Sequence, residues 1–213
     1  VPGALWKHDW IEQTRVQVPP PDLDRIVVGV DPPGGATECG IIVAGRGLCH
    51  CRGIAESHGY VLADFSVKAS PHEWGAKVVA AYHDYSADRI LGESNYGGDM
   101  VKSTILTIDP DIAYHAVRAT RGKAVRAEPI ASRHERGMIH FVGSFDALED
   151  ELCTWIAGRS SSSPNRLDAF VWAMTDLAHE GWSVWGGRDA DEHTKKADIS
   201  GSIAEHGVFW PSS

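Results

Sequence analysis

The amino-acid sequence predicts an α/β domain in which helices cover both faces of a mixed β-sheet. The run RIVVGV at residues 25–30 is almost entirely apolar, which is typical of a central strand buried on both faces. Further strand-like runs follow it, separated by turns that contain glycine, as in an antiparallel meander. After residue 70, segments with helical periodicity alternate with short apolar runs, which is typical of an α/β fold.

The first third of the chain predicts an entry segment followed by strands. Residues 1–24 contain a short helical stretch and then three consecutive prolines, and we expect this segment to be a linker. The strand at residues 25–30 ends in a sharp turn that starts at Asp31. The strands expected next lie at residues 39–47, in a run that continues to about residue 55, and at the sheet edge in residues 60–66.

The remaining two thirds predict the covering helices. Ser70 is a suitable N-cap and Pro71 a suitable first residue for a helix at residues 71–85. A stripe of apolar residues marks the last helix, which starts at Ser163 and Pro164. Between these two helices we expect strands at 89–93, 112–116 and 138–142, and helices at 97–108, 123–137 and 145–156. The domain then spans residues 25–180, and residues 181–213 form an irregular tail.

The composition limits the class of protein. With 213 residues, 43% of them hydrophobic, the chain can bury the core of one sizeable domain. No run approaches the roughly 20 apolar residues that cross a bilayer, so we expect no membrane partner. The formal net charge is −9, whereas a protein that coats DNA is basic. A domain of this charge that acts on DNA needs metal cations, local basic patches or help from another domain.

The cysteines and histidines predict no zinc site. Cys39, Cys49, Cys51 and Cys153 form no CxxC pair, and the histidines form no HExxH or HxxxH pattern. We therefore expect reduced, structural cysteines and a reducing, cytosol-like compartment. The chain begins with Val1 rather than Met, so we expect it to be part of a longer protein.

Three acidic residues stand at positions where α/β folds bind ligands. Asp31 ends the first buried strand, and Glu93 ends the short strand RILGE. Asp168 lies in the first turns of the last helix, at the border of its apolar stripe. Each has an ordinary alternative role, in a turn, in a solvated loop or at a helix N-terminus.

Together, these three acids predict a metal site. If the strands of Asp31 and Glu93 are adjacent and parallel, both acids reach the same sheet edge, and the helix of Asp168 can lie over it. Each pair of carboxylates about 4 Å apart then costs roughly 4 kcal/mol at an effective dielectric of about 20, so cations are required. Oxygen ligands without Cys or His select Mg²⁺ or Mn²⁺, and two such ions are the usual device for phosphodiester hydrolysis.

Six motifs in order resemble the C-terminal nuclease domain of the large terminase subunit of tailed bacteriophages and prophages. The resemblance runs from about Leu5 to Leu177. The motifs are VVGVDPPGG, YVLADFSVKASPHEW, GESNYGGDMV, RGKAVRAEPI, GMIHFVGSFDALEDELCTW and SPNRLDAFVWAM.

The resemblance implies a ribonuclease H-like fold and a two-metal endonuclease that cuts concatemeric double-stranded viral DNA during packaging. Its catalytic and metal-binding acids carry over to Asp31, Glu93 and Asp168, with two Mg²⁺ or Mn²⁺ ions as cofactors. It further implies a portal protein, a small terminase subunit and an upstream ATPase domain of the same chain as partners, in the host bacterial cytoplasm. This sequence has no GxxxxGK[ST] motif, so residues 1–24 are interpreted as the remnant of that ATPase domain.

The resemblance also predicts a DNA contact at a local basic cluster. The cluster consists of Arg118, Arg121, Lys123 and Arg126, and a solvated helix face is its ordinary alternative. Asp64 and Asp99 are further acids near the motifs and are candidates for a supporting role.

Two other functions remain open from the sequence. The turn DPPGGATECG resembles the phosphate loop of actin-like and sugar-kinase phosphotransferases, but the duplicated domain of those proteins is not visible. A docking module for portal or small terminase, with inactive acids, is the non-enzymatic alternative.

Overall fold

The computed structural model describes residues 1–33, 37–94, 98–160 and 163–179, and it contains a six-stranded sheet. The spatial order of the strands is β5-β4-β1-β2-β3-β6. Strands β1, β2 and β3 form an antiparallel meander, and the β1–β4, β4–β5 and β3–β6 pairs are parallel. The strands are β1 Leu23–Asp31, β2 Gly40–Cys49, β3 Glu56–Asp64, β4 Arg89–Glu93, β5 Tyr114–Val117 and β6 Ile139–Phe141.

Helices cover both faces of this sheet, as the sequence predicts. One core forms between the sheet and α2 and α3, and it includes the buried Trp74 and Ile105. The other core forms between the opposite face and the remaining helices, and it includes Phe141 and Phe170. The helices are α1 His8–Thr14, α2 Pro71–Asp84, α3 Gly98–Ile108, α4 Lys123–Glu135, α5 Asp146–Thr154 and α6 Asn165–His179.

The prediction for the third and fourth strands was wrong in one respect. Residues 50–55 form a turn, and a single strand, β3, replaces the two runs expected there. This strand is not at a sheet edge, because β6 pairs with it in parallel, with Tyr60 opposite His140. Three residues of β6 give too short a periodic signal to place this strand in the sheet from sequence.

The entry segment, expected to be a linker, packs into the core of the domain. Trp6 and Ile11 are 1% and 0% exposed. The indole Nε1 of Trp6 donates a hydrogen bond to Nδ1 of His134 on α4 at 3.1 Å. Arg15, directly after α1, forms an ion pair with Glu149 on α5 at 2.8 Å. Residues 1–24 therefore contribute apolar burial and ion pairing to this fold, and their origin in an ATPase domain stays a prediction.

Helix α6 lies unusually close to β1 and β2. A Cβ at Gly29 would overlap the carbonyl oxygen of Ala169 and lie 3.2 Å from the Cβ of Ala173. A Cβ at Gly40 would overlap the carbonyl oxygen of Asn165, so glycine allows the helix to approach both strands. Since Asp168 precedes Ala169, this contact holds the Asp168 carboxylate near the end of β1.

The remaining expectations concern the cysteines, membrane-spanning helices and the C-terminal tail. Cys39, Cys49, Cys51 and Cys153 form no disulfide in the structure. None of the described helices is long and apolar enough to cross a membrane. The predicted irregular tail at residues 181–213 lies outside the described residues.

The contact at Gly29 predicts a large effect of one methyl group. Gly29→Ala should lower the free energy of unfolding by about 1–3 kcal/mol, because α6 or β1 must shift to admit the Cβ. Urea denaturation measures this change. Gly122→Ala is the control for a methyl group in open space, since a Cβ there meets nothing within 4 Å, and only the change at the N-cap of α4 should cost stability, at most about 1 kcal/mol. An equal effect of the two substitutions would contradict the proposed close contact.

Candidate metal centre

Asp31 and Glu93 lie side by side at the carboxyl ends of two adjacent inner strands of the sheet. Strands β1 and β4 are adjacent and parallel, with Val30 opposite Gly92. Asp31 and Glu93 are the next residues of the two strands, and each is the last residue of its strand. The arrangement that the sequence analysis required for a shared site is therefore present.

Asp168 joins this pair from α6. The side chain of Asp168 is 1% exposed. Asp31, taken as a whole residue, is 7% exposed. The charges of Asp31, Glu93 and Asp168 act on one another: the charges of Asp168 and Glu93 both raise the pKa of Asp31. The structure thus brings all three predicted acids to one place.

The environment of these acids opposes their negative charge. Burial, followed by the charge of Asp168, raises the pKa of Asp31 to about 8. Burial also raises the pKa of Asp168, although Lys123 and Arg126 act in the opposite direction. A buried carboxylate with this pKa requires either a proton or a cation at neutral pH.

Two cations from α4 contact Asp168. Lys123 Nζ forms a short ion pair with Oδ2, and Arg126 lies with its Nη2 3.4 Å from Oδ1. The guanidinium of Arg126 also stacks over the ring of Trp172, 4.2 Å from its centroid. These contacts place two positive groups where a cluster of carboxylates needs compensation.

The predicted basic cluster divides into two parts. Arg118 and Arg121 are exposed, so a ligand could reach their side chains. The side chains of Lys123 and Arg126 are 36% and 12% exposed, and both contact Asp168. Contact with DNA stays a prediction for all four residues, and the ion pairs with Asp168 are a role that the sequence analysis missed.

A second ionic network fixes the start of α6. The guanidinium of Arg166 pairs with Glu38 and, at 2.9 Å, with Asp64. Glu151 accepts a hydrogen bond from the backbone N–H of Leu167 at 2.8 Å. Asp64 therefore supports the helix that carries Asp168, which agrees with the supporting role expected for it. The partners in this network lie up to 128 residues apart, so sequence spacing gives no signal for them.

The donor set fits hard divalent cations. Asp31, Glu93 and Asp168 offer only carboxylate oxygens, which are the ligands preferred by Mg²⁺ and Mn²⁺. Across the described ranges, the one group of three or more His, Cys, Asp or Glu ligand atoms within 4.8 Å of one another lies elsewhere in the fold. The oxygens of these three carboxylates therefore do not all lie within 4.8 Å of one another.

A family model described as the terminase RNase H-like domain matches residues 28–177. The chain belongs to this family. The match includes Asp31, Glu93 and Asp168, and it confirms the resemblance and the ribonuclease H-like fold expected from the motifs. None of the curated proteins matches the chain.

Solved structures of terminase nucleases share this fold at low sequence identity. The large terminase nuclease of thermophilic phage G20c with bound cobalt has a TM-score of 0.59 and 13% identity, covering 82% of this chain and 98% of that one. A mutant gp2c of the large terminase subunit of bacteriophage sf6 with calcium has a TM-score of 0.60 and 15% identity, covering 80% and 98%. The large terminase of a second thermophilic bacteriophage has a TM-score of 0.56 and 14% identity, covering 81% of this chain. The matched region spans 44% of that longer protein.

The raised pKa of Asp31 predicts how stability depends on pH without metal. Between about pH 4 and pH 8, folding binds a proton at Asp31, so the free energy of unfolding contributed by this group falls as pH rises. Asp31→Asn cannot titrate and should gain stability relative to the parent chain over this interval, by up to about 1.4 kcal/mol per pH unit. Urea denaturation in EDTA from pH 4 to pH 9 measures the difference. Parallel curves for the two proteins would rule out the raised pKa.

Proposed function

We propose that this domain is the metal-dependent endonuclease that cuts concatemeric double-stranded viral DNA during genome packaging. In this hydrolysis a water oxygen bonds to phosphorus, while the bond from phosphorus to the leaving sugar oxygen breaks. The observation that carries the proposal is the meeting of Asp31, Glu93 and Asp168 at one sheet edge, with two of the acids buried. Burial of such an acidic cluster is unfavourable unless cations compensate its charge, and Lys123 and Arg126 supply only part of that compensation, since the pKa of Asp31 remains raised.

Asp31, Glu93 and Asp168 are the proposed ligands of two Mg²⁺ or Mn²⁺ ions. When bound, such ions supply a water nucleophile at neutral pH and stabilise the charge on phosphate and leaving oxygen. The burial of Asp31 and Asp168 excludes competing water and strengthens their attraction for cations. Structures of the G20c nuclease, which has a similar fold, contain bound magnesium or bound zinc, which supports the proposal that this site binds a divalent metal.

Lys123 and Arg126 have complementary proposed roles beside these ligands. Arg126 is enclosed between Asp168 and Trp172, so it orients the Asp168 carboxylate and reduces repulsion among the acids. Lys123 is more exposed and has a flexible side chain, so it can leave Asp168 and contact a phosphate. In the absence of metal, the positive charges of Lys123 and Arg126 partly neutralise the carboxylates.

The proposed DNA path runs along α4. A cleft of about 480 Å³ between α4 and α6 is lined by Arg121, Arg126 and Arg133 and by apolar side chains that include Val125, Ile130 and Trp172. Arg118, three residues before Arg121 in the chain, is also exposed. Contacts of this kind bind the phosphate backbone without reading its sequence.

The net charge of −9 disfavours DNA binding unless metal cations, local basic patches or another domain offset it. We propose that the ATPase domain of the same full-length chain supplies much of that attraction, with the portal protein and small terminase subunit at the procapsid in the host cytoplasm. The large terminase of the second thermophilic bacteriophage is more than twice the length that this domain covers, which supports a longer parent protein. The family match over residues 28–177 disfavours the phosphotransferase alternative.

The proposal predicts metal-dependent cleavage of plasmid DNA. The 213-residue chain should nick or linearise supercoiled plasmid with Mg²⁺ or Mn²⁺, and EDTA should abolish cutting. Asp31→Asn and Asp168→Asn should each lower the rate at least roughly 100-fold, because even the loss of a group that supports a metal ligand costs about 10–100-fold. Agarose gels resolve the three plasmid forms.

Two controls make this experiment decisive. Asp150→Asn removes an exposed acid on α5 and should leave cutting unchanged. Mn²⁺ titration by calorimetry tests the same ligands without DNA, and Asp31→Asn should weaken it. Undiminished cutting by Asp31→Asn would contradict the metal site. Normal Mn²⁺ binding without cleavage, even when the ATPase domain is present, would favour the docking module.

The two roles proposed for Lys123 predict opposite effects of one substitution. Lys123→Gln should bind Mn²⁺ more tightly without DNA, because no ammonium competes for Asp168. Its binding to DNA should weaken, and the slope of log K against log salt should decrease by about 1. Lys77→Gln, on the exposed face of α2, is the matched control. Unchanged Mn²⁺ affinity and an unchanged salt slope would refute both roles.

A further inference from the structure

Two cysteines and two histidines meet at the end of the sheet opposite to Asp31. Strand β2 begins at Gly40, which pairs with Asp31, and ends at Cys49. Ten residues at about 3.3 Å each separate the two ends by roughly 30 Å. The cluster is therefore independent of the carboxylate site, and it was not expected from the sequence.

Three structural elements supply its members. Cys49 is the last residue of β2, and Cys51 lies in the following turn. His58 lies near the start of β3, and His140 is the middle residue of β6, the neighbour of β3 in the sheet. Each side chain offers one ligand atom, and the four atoms lie within 4.8 Å of one another.

The spacing of these atoms suits a tetrahedral ion. Cys51 Sγ is 3.8 Å from His58 Nδ1 and 3.9 Å from His140 Nε2. Bond lengths to Zn²⁺ place two sulfurs about 3.8 Å apart and two nitrogens about 3.3 Å apart in a tetrahedron. The two imidazole nitrogens are 2.8 Å apart, so they need to separate by only about half an ångström to admit the ion.

The outer nitrogens of both imidazoles face oxygen acceptors. Nδ1 of His140 donates a hydrogen bond to the carbonyl oxygen of Thr14 at 2.8 Å, which leaves the Nε2 lone pair directed at the cluster. Nε2 of His58 lies 3.6 Å from a carboxylate oxygen of Glu56. Histidines that bind metals characteristically direct their second N–H at a carbonyl or carboxylate in this way.

The hydrogen bonds are incomplete without an ion. Because the proton of His140 is on Nδ1, the 2.8 Å contact between the rings requires His58 to donate from Nδ1. The buried Nε2 of a neutral His58 then carries a lone pair that faces the Glu56 carboxylate, and this atom has no hydrogen-bond partner. A metal at Nδ1 of His58 moves the proton to Nε2, where it points towards Glu56.

We propose that Cys49, Cys51, His58 and His140 bind one Zn²⁺ ion in a structural site. Two thiolates and two imidazoles are a ligand set selective for zinc among the common biological cations. All four positions come from the protein, so the ion is closed to substrate and serves stability. It would join the turn after β2 to β6 and, through Thr14, to α1.

Two features prevent this site from being predicted from the sequence. Cys49 and Cys51 are separated by one residue rather than by the two to four residues of common zinc motifs. His140 follows His58 by 82 residues, and only the pairing of β6 with β3 brings them together.

Zinc content of the untagged 213-residue chain tests the proposal. The Asp31→Asn background removes a ligand of the carboxylate site, and mass spectrometry should then find one zinc per chain after dialysis. Replacement by Co²⁺ should give thiolate-to-cobalt charge transfer and tetrahedral d–d absorption. Zinc should also raise the Tm of this protein. Absence of zinc and of the thiolate–cobalt bands would overturn the proposal.

Matched variants assign the ligands. Cys51→Ser and His140→Gln should each lose the zinc and the zinc-dependent rise in Tm, whereas His50→Gln, exposed in the same turn, should keep both. Glu56→Gln should weaken zinc affinity by roughly 10–100-fold, because its carboxylate positions His58. Equal zinc content in Cys51→Ser and His50→Gln would overturn the ligand assignment, regardless of whether the domain cleaves DNA.

Discussion

The close approach of α6 to β1 is the constraint on which the rest of the site depends. Gly29 lets the backbone of Ala169 lie against the strand, and the next residue towards the N-terminus, Asp168, is thereby held beside Asp31. The same helix is fixed at its start by Arg166 and along its length by Asp176, which pairs with Arg89 of β4 at 2.9 Å. The strand of Glu93 and the helix of Asp168 are therefore linked directly, and rigid elements rather than loops set the distances among the carboxylates.

This constraint has an electrostatic cost that explains the surroundings of the acids. Two buried carboxylates repel each other, and burial weakens the solvation that would otherwise stabilise them. The chain compensates with Lys123 and Arg126 from α4, and the ring of Trp172 limits the movement of the guanidinium. Compensation by side chains, one of them partly exposed, would allow a metal ion or a phosphate to exchange with them in the proposed function. A hydrophobic replacement would stabilise the fold more simply but would provide no such exchange.

The sequence predicts what depends on local pattern and misses what depends on distant pairing. The apolar run before Asp31 and the strand that ends at Glu93 have strong local signals, so the meeting of these acids followed once parallel pairing was assumed. The packing of Trp6 was missed because its partner, His134, lies 128 residues away on α4. The Cys–His cluster was missed for the same reason, since three residues of β6 bring His140 to His58. The acids alone also gave no reason to expect that Lys123 contacts Asp168.

The carboxylates lie beside the start of β2 and the Cys–His cluster lies at its end, and the different chemistry of the two ligand sets determines which metal each would hold. Carboxylates also bind Zn²⁺, and most sites bind it more tightly than Mg²⁺, so an isolated acidic centre is open to zinc. Thiolate and imidazole ligands bind zinc far more strongly than oxygen ligands alone. The proposed Cys–His site, roughly 30 Å away, would therefore take zinc at a lower free Zn²⁺ concentration than the carboxylates would, and below that second concentration the more abundant Mg²⁺ would compete for the carboxylates. The separation also keeps the thiolates away from the negative charge around Asp31, so occupation of one end does not disfavour occupation of the other.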